Sequence, residues 1–508
     1  MSETATTTQA PLPPLEGWPL AAVGIVASLS AFIVVLDLTV TNVSIPTIAA
    51  GLGASPHEGT WMITAYAVPD AITVLLAGWL AARFGPARVM IGALLLFGLA
   101  SVLCGLSSTL AELVTFRIIQ GFAGGPLVPL SQAIIYSTYP RERSMAAMTT
   151  WTTMATLGPA VGPLVGGYIC EHMHWSWIFL INLPVVIVAA VAVWRLLYHR
   201  DPPPEKRPID FTGFGILVVW VGAAQLMLDR GYDLDWFHSN LIIGFLIVAV
   251  VGFFAFLIWE MTDAHPIINL RVFGNIHFCL SLAILCLAFA AIFGSLIMTP
   301  LWLQTSMDYT PTLAAAVMVP QTLISVCISP ILGRFSHVLN PRHLMVAGLT
   351  VMAAIYYWRT GFTLEVTFAH VAFSQFVHGI GSSLFFSAAV TTVMSFVKRE
   401  DIGTATSLIA FCRTMAIAIS ASALTTAWLS STAQNRGALV DRFHGSNAAE
   451  RFEDLGFAPE RALHYVDNLV QSQAVMLATN HIFMILTSLF AVALFALWFL
   501  PRGVRAKS

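Results

Sequence analysis

The chain of 508 residues reads as an all-α polytopic membrane protein, and three observations predict it. Hydrophobic residues make up 57% of it and charged ones 10%, against about 25% charged in a soluble domain. So few polar side chains cannot coat that much apolar surface, so the solvent must be a bilayer. Apolar stretches of spanning length fill nearly the whole sequence, and the segments between them sort Lys and Arg onto one side.

A helix rises about 1.5 Å per residue and the hydrocarbon core is about 30 Å thick, so a span needs about 20 apolar residues. On that measure the spans fall near 18–44, 60–82, 88–108, 111–136, 145–169, 176–198, 211–229 and 241–259. Six more follow near 276–299, 312–333, 342–360, 367–393, 402–429 and 477–500. With the N-terminus inside, the inner segments carry Arg83, Arg88, Arg141, Arg143, Arg195, Arg200, Lys206 and Arg207. They also carry Arg271, Arg334, Arg342, Lys398, Arg399, Arg502, Arg505 and Lys507. Few basic residues remain outside: Arg230, Arg359 and four in one long loop, whose charges weigh little on topology. The expected orientation is N-in, C-in.

Residues 1–17 read as a short cytoplasmic tail, since the polar start lacks the Lys or Arg of a signal peptide. A first six-span unit runs over 18–199, and the proline-rich connector after His199 separates it from the rest. A linker with a two-helix insert occupies 200–275, and a second six-span unit covers 276–500 before a tail at 501–508. Within that unit, 430–476 forms an outer loop. It opens polar and turns helical from about 459, where Pro459 and Glu460 suit a helix start. The six cysteines are scattered without CxxC or Cys/His clusters, so neither a disulfide framework nor a metal site is expected.

Charge inside hydrocarbon is costly and marks a site. Asp37 lies in the first span, Asp70 in the second, Arg117 in the fourth and Arg413 in the thirteenth. A carboxylate in a cavity that alternates between wet and closed is the group a proton coupler requires. Asp70 fits by its central depth, or else it bonds backbone loosened by Pro69. Asp37, near Thr39 and Asn42, fits as well, or else pins the end of its helix. Arg117 is a cavity-side counter-charge or half of a buried pair. His370 and His378 stand roughly 80° apart on their helix, a spacing that does not require a shared face. Glu112 and Glu260 lie at membrane boundaries, where interface duty suffices. Gly158, Gly162 and Gly166 recur every four residues, giving the fifth span a flat strip for close helix approach, with Pro159 and Pro163 inviting a bend.

Several ordered motifs resemble the 14-spanner drug:proton antiporter family of the major facilitator superfamily, in its EmrB-like branch. Leu36-Asp37 through Asn42 to Pro46 is similar to the first-helix motif, and Gly78 to Gly85 with Arg83 to the inner loop that gates the cytoplasmic side together with Arg88. Arg117 with Gln120-Gly121 resembles the fourth-helix motif whose Arg serves proton coupling. The run Gly158, Gly162, Pro163, Gly166, Gly167 is similar to the antiporter motif of exporters. Trp175 to Pro184, Arg413, Asn480 and Phe483 also match. Ala82 departs from the pattern, standing where many members carry Asp, and Asp70 is an addition to it.

The resemblance implies a 6 + 2 + 6 major facilitator fold and proton-coupled export of hydrophobic toxic compounds across the inner membrane. Asp37, Asp70 and Arg117 would couple the proton. A cavity would be lined by Thr39, Asn42, Tyr66, Gln120, Met154, Phe289, Phe293, Gln375, Phe385 and Arg413. The proton is the coupling ion and no further cofactor is expected. A periplasmic membrane-fusion adaptor and an outer-membrane channel are the implied partners; nucleic acid is not. Two other readings stay open: a dedicated exporter of one metabolite or siderophore on the same fold, and a membrane enzyme or non-transporting scaffold. No His/Asp/Glu cluster with metal-ligand or nucleophile–base spacing favours the enzyme.

Overall fold

The structure, a computed structural model, describes residues 15–201, 210–263, 266–335, 339–444 and 458–501. The ends of both tails, most of the proline-rich connector and the middle of the outer loop lie outside the described residues. Among the described residues the secondary structure is helical, with no strand. That is what hydrocarbon allows a chain that does not close a barrel, because each backbone N–H and C=O must then be bonded within its own segment.

The long helices are α1 (Trp18–Gly51), α2 (Trp61–Phe84), α3 (Pro86–Gly105) and α4 (Leu110–Thr138, interrupted at Gly125-Pro126). They continue with α5 (Arg141–His172), α6 (Trp177–Arg200), α7 (Phe211–Arg230) and α8 (Asn240–Thr262). The remainder are α9 (Ile276–Ser306), α10 (Pro311–Arg334), α11 (Pro341–Arg359), α12 (Phe368–Met394), α13 (Ile402–His444) and α14 (Pro459–Leu497). Local chemistry sets many of the starts. Thr109 Oγ1 accepts from Glu112 N at 3.2 Å while Glu112 Oε2 accepts from Ser108 N at 2.8 Å, a capping box that opens α4. Asp210 caps α7 through Gly213 N, Asn275 caps α9 and Asn340 caps α11.

Eleven of these helices are long and apolar enough to cross a membrane. Of the other three, α10 contributes a shorter apolar stretch among the described residues, Thr312–Ile328, while α5 and α11 have comparable length but more polar sequence. Helix α5 carries Thr149, Thr150, Thr152 and Thr153, and α11 begins and ends with Arg342 and Arg359. A helix lined by protein rather than lipid does not have to be apolar all round. Helix α5 meets that condition, packing against α1 on one side and α10 and α12 on the other.

Helices α1 to α6 pack on one another, as do α9 to α14. The two groups meet where α5 touches α10 and α12, and where α2 and α4 touch α13; the α7–α8 hairpin leans on α2 and α13. Small residues permit the closest crossings. A Cβ added at Gly158 would lie 2.8 Å from Val35, one at Gly162 would collide with Thr39, and one at Gly166 would lie 3.1 Å from Val40 O. The glycine strip of α5 is therefore the bed on which α1 lies. Gly121 likewise lets α4 press on the Tyr66 backbone.

The outer segment is helical at both ends: residues 430–444 continue α13, and the helix expected from about 459 is the start of α14. At 43 and 39 residues the two helices are roughly 65 and 58 Å long, about twice the hydrocarbon thickness. Arg436 Nη2 of α13 donates to Asp467 Oδ1 of α14 at 2.7 Å, and Ser306 Oγ at the end of α9 donates to Ser472 O of α14 at 3.3 Å. Hydropathy marks where a chain leaves lipid, which is not where its helix ends.

The strip yields a paired expectation. Gly162→Leu should destabilise the protein by about 1–3 kcal/mol through overpacking. Gly167→Ala, with nothing within 4 Å of the added methyl, should be neutral or slightly stabilising. Thermal unfolding of the purified protein in detergent would separate the two; equal melting temperatures would mean that α1 does not need the strip.

Candidate functional site

Three polar groupings stand inside the helices. The first joins five helices around Asp37. Arg117 Nη1 of α4 donates to Asp37 Oδ2 at 2.6 Å, and Asp37 Oδ1 accepts from Gln120 Nε2 at 3.0 Å and Asn182 Nδ2 at 2.6 Å. Gln120 also bonds Ser101 Oγ of α3 at 2.8 Å, and Arg117 Nε reaches Met62 O at 3.3 Å. The guanidinium lies 4.5 Å from the Tyr66 ring centroid and 5.6 Å from that of Phe179. Asp37 is 1% exposed and Arg117 0%. The spacing of Arg117 and Gln120, three residues apart, puts both on one face of α4 toward α1. Such a network fixes the first six helices to one another; its members are buried there and do not line an open cavity.

The second grouping lies between the two halves. Asp70 of α2 and Arg413 of α13 lie near enough to interact electrostatically, without forming a direct ion pair. Arg413 lies 5.3 Å over the Phe289 ring, and Phe289 stacks with Phe293 at 5.6 Å and Phe386 at 4.6 Å. The inner ends of α2 and α13 touch: a Cβ at Gly78 would lie 2.8 Å from Gly403 O. Between α5 and α12, Thr149, Thr152 and Thr153 meet Ser382, Ser383 and Ser387 around a space of only 10 Å³. At these two places the halves are in contact.

The third grouping surrounds Arg359, a residue that the charge distribution places in an outer segment. It is 1% exposed, donating from Nε to Ser374 Oγ at 3.1 Å and from Nη2 to Gln375 Oε1 at 2.9 Å. The Tyr356 and Phe483 rings lie below it at 4.6 and 5.8 Å. His378, buried, packs edge-on to Tyr356 at 5.4 Å. His370 is elsewhere, on the exposed cap of α12 with Thr367. Arg359 mirrors Arg117, a buried guanidinium over two aromatic rings, but amide and hydroxyl oxygens take the place of the carboxylate. Its place at the end of a span concealed it in the sequence.

Other anticipated residues disperse. Thr39 Oγ1 bonds Gly158 O at 3.1 Å in the α1–α5 contact, Asn42 is exposed, and Met154 is half-buried on α5. Phe385 is packed against Gly348 of α11, in the core. At the inner loop, Arg83 lies over Trp79 and Phe84, and Arg88 over Tyr198. Gly85 adopts φ 95°, and a Cβ there would collide with Asp201. The Asp201 carboxylate caps α3, accepting from Ala87 N and Arg88 N at 2.9 Å each. Partial burial raises its pKa, against the lowering pull of those two N–H groups. Where Ala82 withholds an acid, Asp201 brings one to the same loop.

A cavity of 1390 Å³ is walled by α2, α4, α7, α8 and α13 and by residues 266–274, and it reaches Gly78 and Gly403 of the seam contact. Glu260 and Trp220 line it. Glu260 was read as a boundary residue; the signal available was a lone acid in the very apolar α8. Among the described residues no group of three or more His, Cys, Asp or Glu could hold a metal ion.

The Asp37 network makes a direct expectation. Asp37→Leu leaves a buried guanidinium without its counter-charge, at a cost of about 3–5 kcal/mol, and adding Arg117→Met should recover most of it. Thermal unfolding of single and double variants measures the recovery; additive losses would sink the pairing.

Comparison with known proteins places this geometry. The Major Facilitator Superfamily model matches residues 27–421. The chain is 37% identical over 493 residues to the multidrug export protein EmrB of Escherichia coli strain K12, covering 96% of each. It is 35% identical over 491 residues to the fatty acid resistance protein FarB of Neisseria gonorrhoeae, covering 96% of this chain and 97% of that one. Among solved structures, the proton:xylose symporter XylE superposes with a TM-score of 0.61 at 13% identity, covering 95% of this chain and 96% of that one, a likeness of fold alone.

Proposed function

The chain belongs to the major facilitator superfamily as an EmrB-like member, and from that premise we propose that it exports hydrophobic toxic compounds in exchange for protons. It is a multi-pass protein of the inner membrane. In this reading all fourteen long helices span the bilayer, N-in and C-in, as two six-helix bundles with α7–α8 inserted between them. The basic residues of the inner segments support that orientation.

The mechanism rests on the electrostatic coupling of Asp70 to Arg413 across the seam, a proximity without a direct ion pair. Opening the inner side must draw α2 away from α13. With Asp70 ionised, that motion strands two charges at membrane depth, at a cost of several kcal/mol. A proton on Asp70 removes half of the penalty, so the proton-loaded carrier opens inward. Loss of the proton inside restores the attraction and favours return with substrate. Asp37 is less suited to carry the proton, because both its oxygens are bonded inside a core that need not open. The Asp37–Arg117 network instead keeps the first bundle rigid while it rocks.

The paired extensions of α13 and α14 support docking of a periplasmic adaptor, and through it an outer-membrane channel. The name of FarB, a fatty acid resistance protein, favours amphipathic compounds as a class over a single dedicated metabolite.

Purified protein in proteoliposomes decides this. Ethidium or a medium-chain fatty acid should drive proton movement seen as a change of internal pH. Asp70→Asn should abolish the coupling, at least tenfold, while Asp37→Asn lowers it chiefly through lost folded protein. Coupling intact in Asp70→Asn would assign the proton to another group; no substrate-driven flux across a varied panel would overturn the export reading.

A further inference from the structure

The two-helix insert touches both halves at its outer end, through a turn whose backbone is strained. Apart from its partner α8, helix α7 packs chiefly on α2, where Leu217 and Val221 cluster with Ala71, Ile72 and Leu75. At the outer end the buried Arg230 guanidinium lies 4.0 Å from the ring centroid of Trp61, the first residue of α2. Such a contact strengthens where water is excluded. By packing, the insert belongs with the first half.

Its outer turn reaches the second half by hydrogen bonds. Ser422 Oγ of α13 donates to Leu228 O at 2.8 Å. One turn further along α13, Thr426 Oγ1 accepts from Trp236 Nε1 at 3.0 Å. Ser422 lies roughly 28 Å along its helix from Gly403, where the halves touch at their inner ends. These bonds therefore cross the seam at its outer end.

Trp236 is not carried there by a relaxed turn. Asp235 and Trp236 have φ of 56° and 47°, two successive non-glycine residues in the left-handed region. Asp tolerates that conformation, but a residue as bulky as Trp keeps it only where its surroundings over-determine it. Here the Trp236 ring packs on Gly231, where an added Cβ would lie 2.6 Å from it, and Trp236 N donates to Gly231 O at 2.7 Å. The remaining support is Thr426, which belongs to the second half.

We propose that the α7–α8 turn is a releasable latch, built on the first half and fastened to α13 across the outer end of the seam by Trp236 and the Leu228 carbonyl. Parting the inner ends tilts α13 against α2, and a 3.0 Å bond is lost once its helices shift by about 1 Å. The strain in the turn favours that release. Since the latch is fastened while Gly78 and Gly403 are in contact, it stabilises the arrangement with the inner ends together. Its part in the transport cycle rests on the export reading; its effect on the inner ends does not. Trp236 is in this sense a positioning residue.

Hydrogen–deuterium exchange of the full-length protein in lipid nanodiscs tests this with variants that remove opposite ends of one bond. Trp236→Phe keeps a ring and loses the N–H, and Thr426→Val keeps the shape and loses the acceptor. Each should speed exchange at the inner ends of α2 and α13, around Gly78 and Gly403, about fivefold, the worth of one net hydrogen bond. Exchange around 158–166 of α5, inside the first half, should not change, and the double variant should do no more than either single one. If both variants fold poorly, Ser422→Ala removes the second bond and should give the same selective response. Exchange raised throughout, inner ends that do not respond, or additive effects in the double variant would overturn the latch. Substrate-driven proton movement of the wild type in proteoliposomes is followed in parallel. A selective inner-end response without such movement would keep the latch and remove the export reading. Proton movement with a uniform response would do the reverse.

Discussion

Hydrocarbon offers a buried charge no water and no partner, and the architecture follows from that constraint. Arg117 is tolerable because Asp37, Gln120, a backbone carbonyl and two aromatic faces surround it. Supplying those groups takes side chains or backbone from α1, α2 and α4, with Asn182 and Ser101 steadying them from α6 and α3. One cation therefore dictates how five helices converge. Arg359 makes the corresponding demand on α11, α12 and α14 and is met by softer partners, Ser374, Gln375 and two rings.

Where charge does not organise the helices, the absence of side chains does. Lipid tails are as apolar as leucine, so helix association depends on close contact and not on escape from water. Gly158, Gly162 and Gly166 allow that contact under α1, Gly121 under α2, and Gly78 against Gly403 at the seam. The first two places join helices within one half. The third joins the halves, across a surface that would have to part and re-form in the proposed alternating-access cycle. Backbone meeting backbone there, with small hydroxyls between α5 and α12, gives a contact with few interlocking side chains to undo.

The insert shows how a fold gains contacts by addition. Helices α7 and α8 pack beside the seam, and α8 is mostly turned to lipid. Their inner ends and the segment after them enclose space against α2, α4 and α13. Aromatic rings from α7, α8 and α13 converge there because each helix presents a large side chain at the same depth.

Much was legible beforehand because the bilayer imposes a period and a composition that local sequence cannot evade. The long apolar runs, the glycine strip of α5, the charged positions at depth and the motif around Arg117 could all be read from residues near one another. Helical continuation through 430–444 and 459–476 could not, since polarity ends a span but leaves backbone hydrogen bonding intact. Nor could partnership: Asp37 and Arg117 are 80 residues apart, Asp70 and Arg413 far more. Which acid meets which guanidinium, and whether the pair lies within a bundle or across the seam, depends on helix rotation and crossing. Arg359 and Glu260 were hidden for the same reason. A charged residue near the end of a helix looks the same in sequence whether it reaches water or turns inward, and only packing against distant helices decides which.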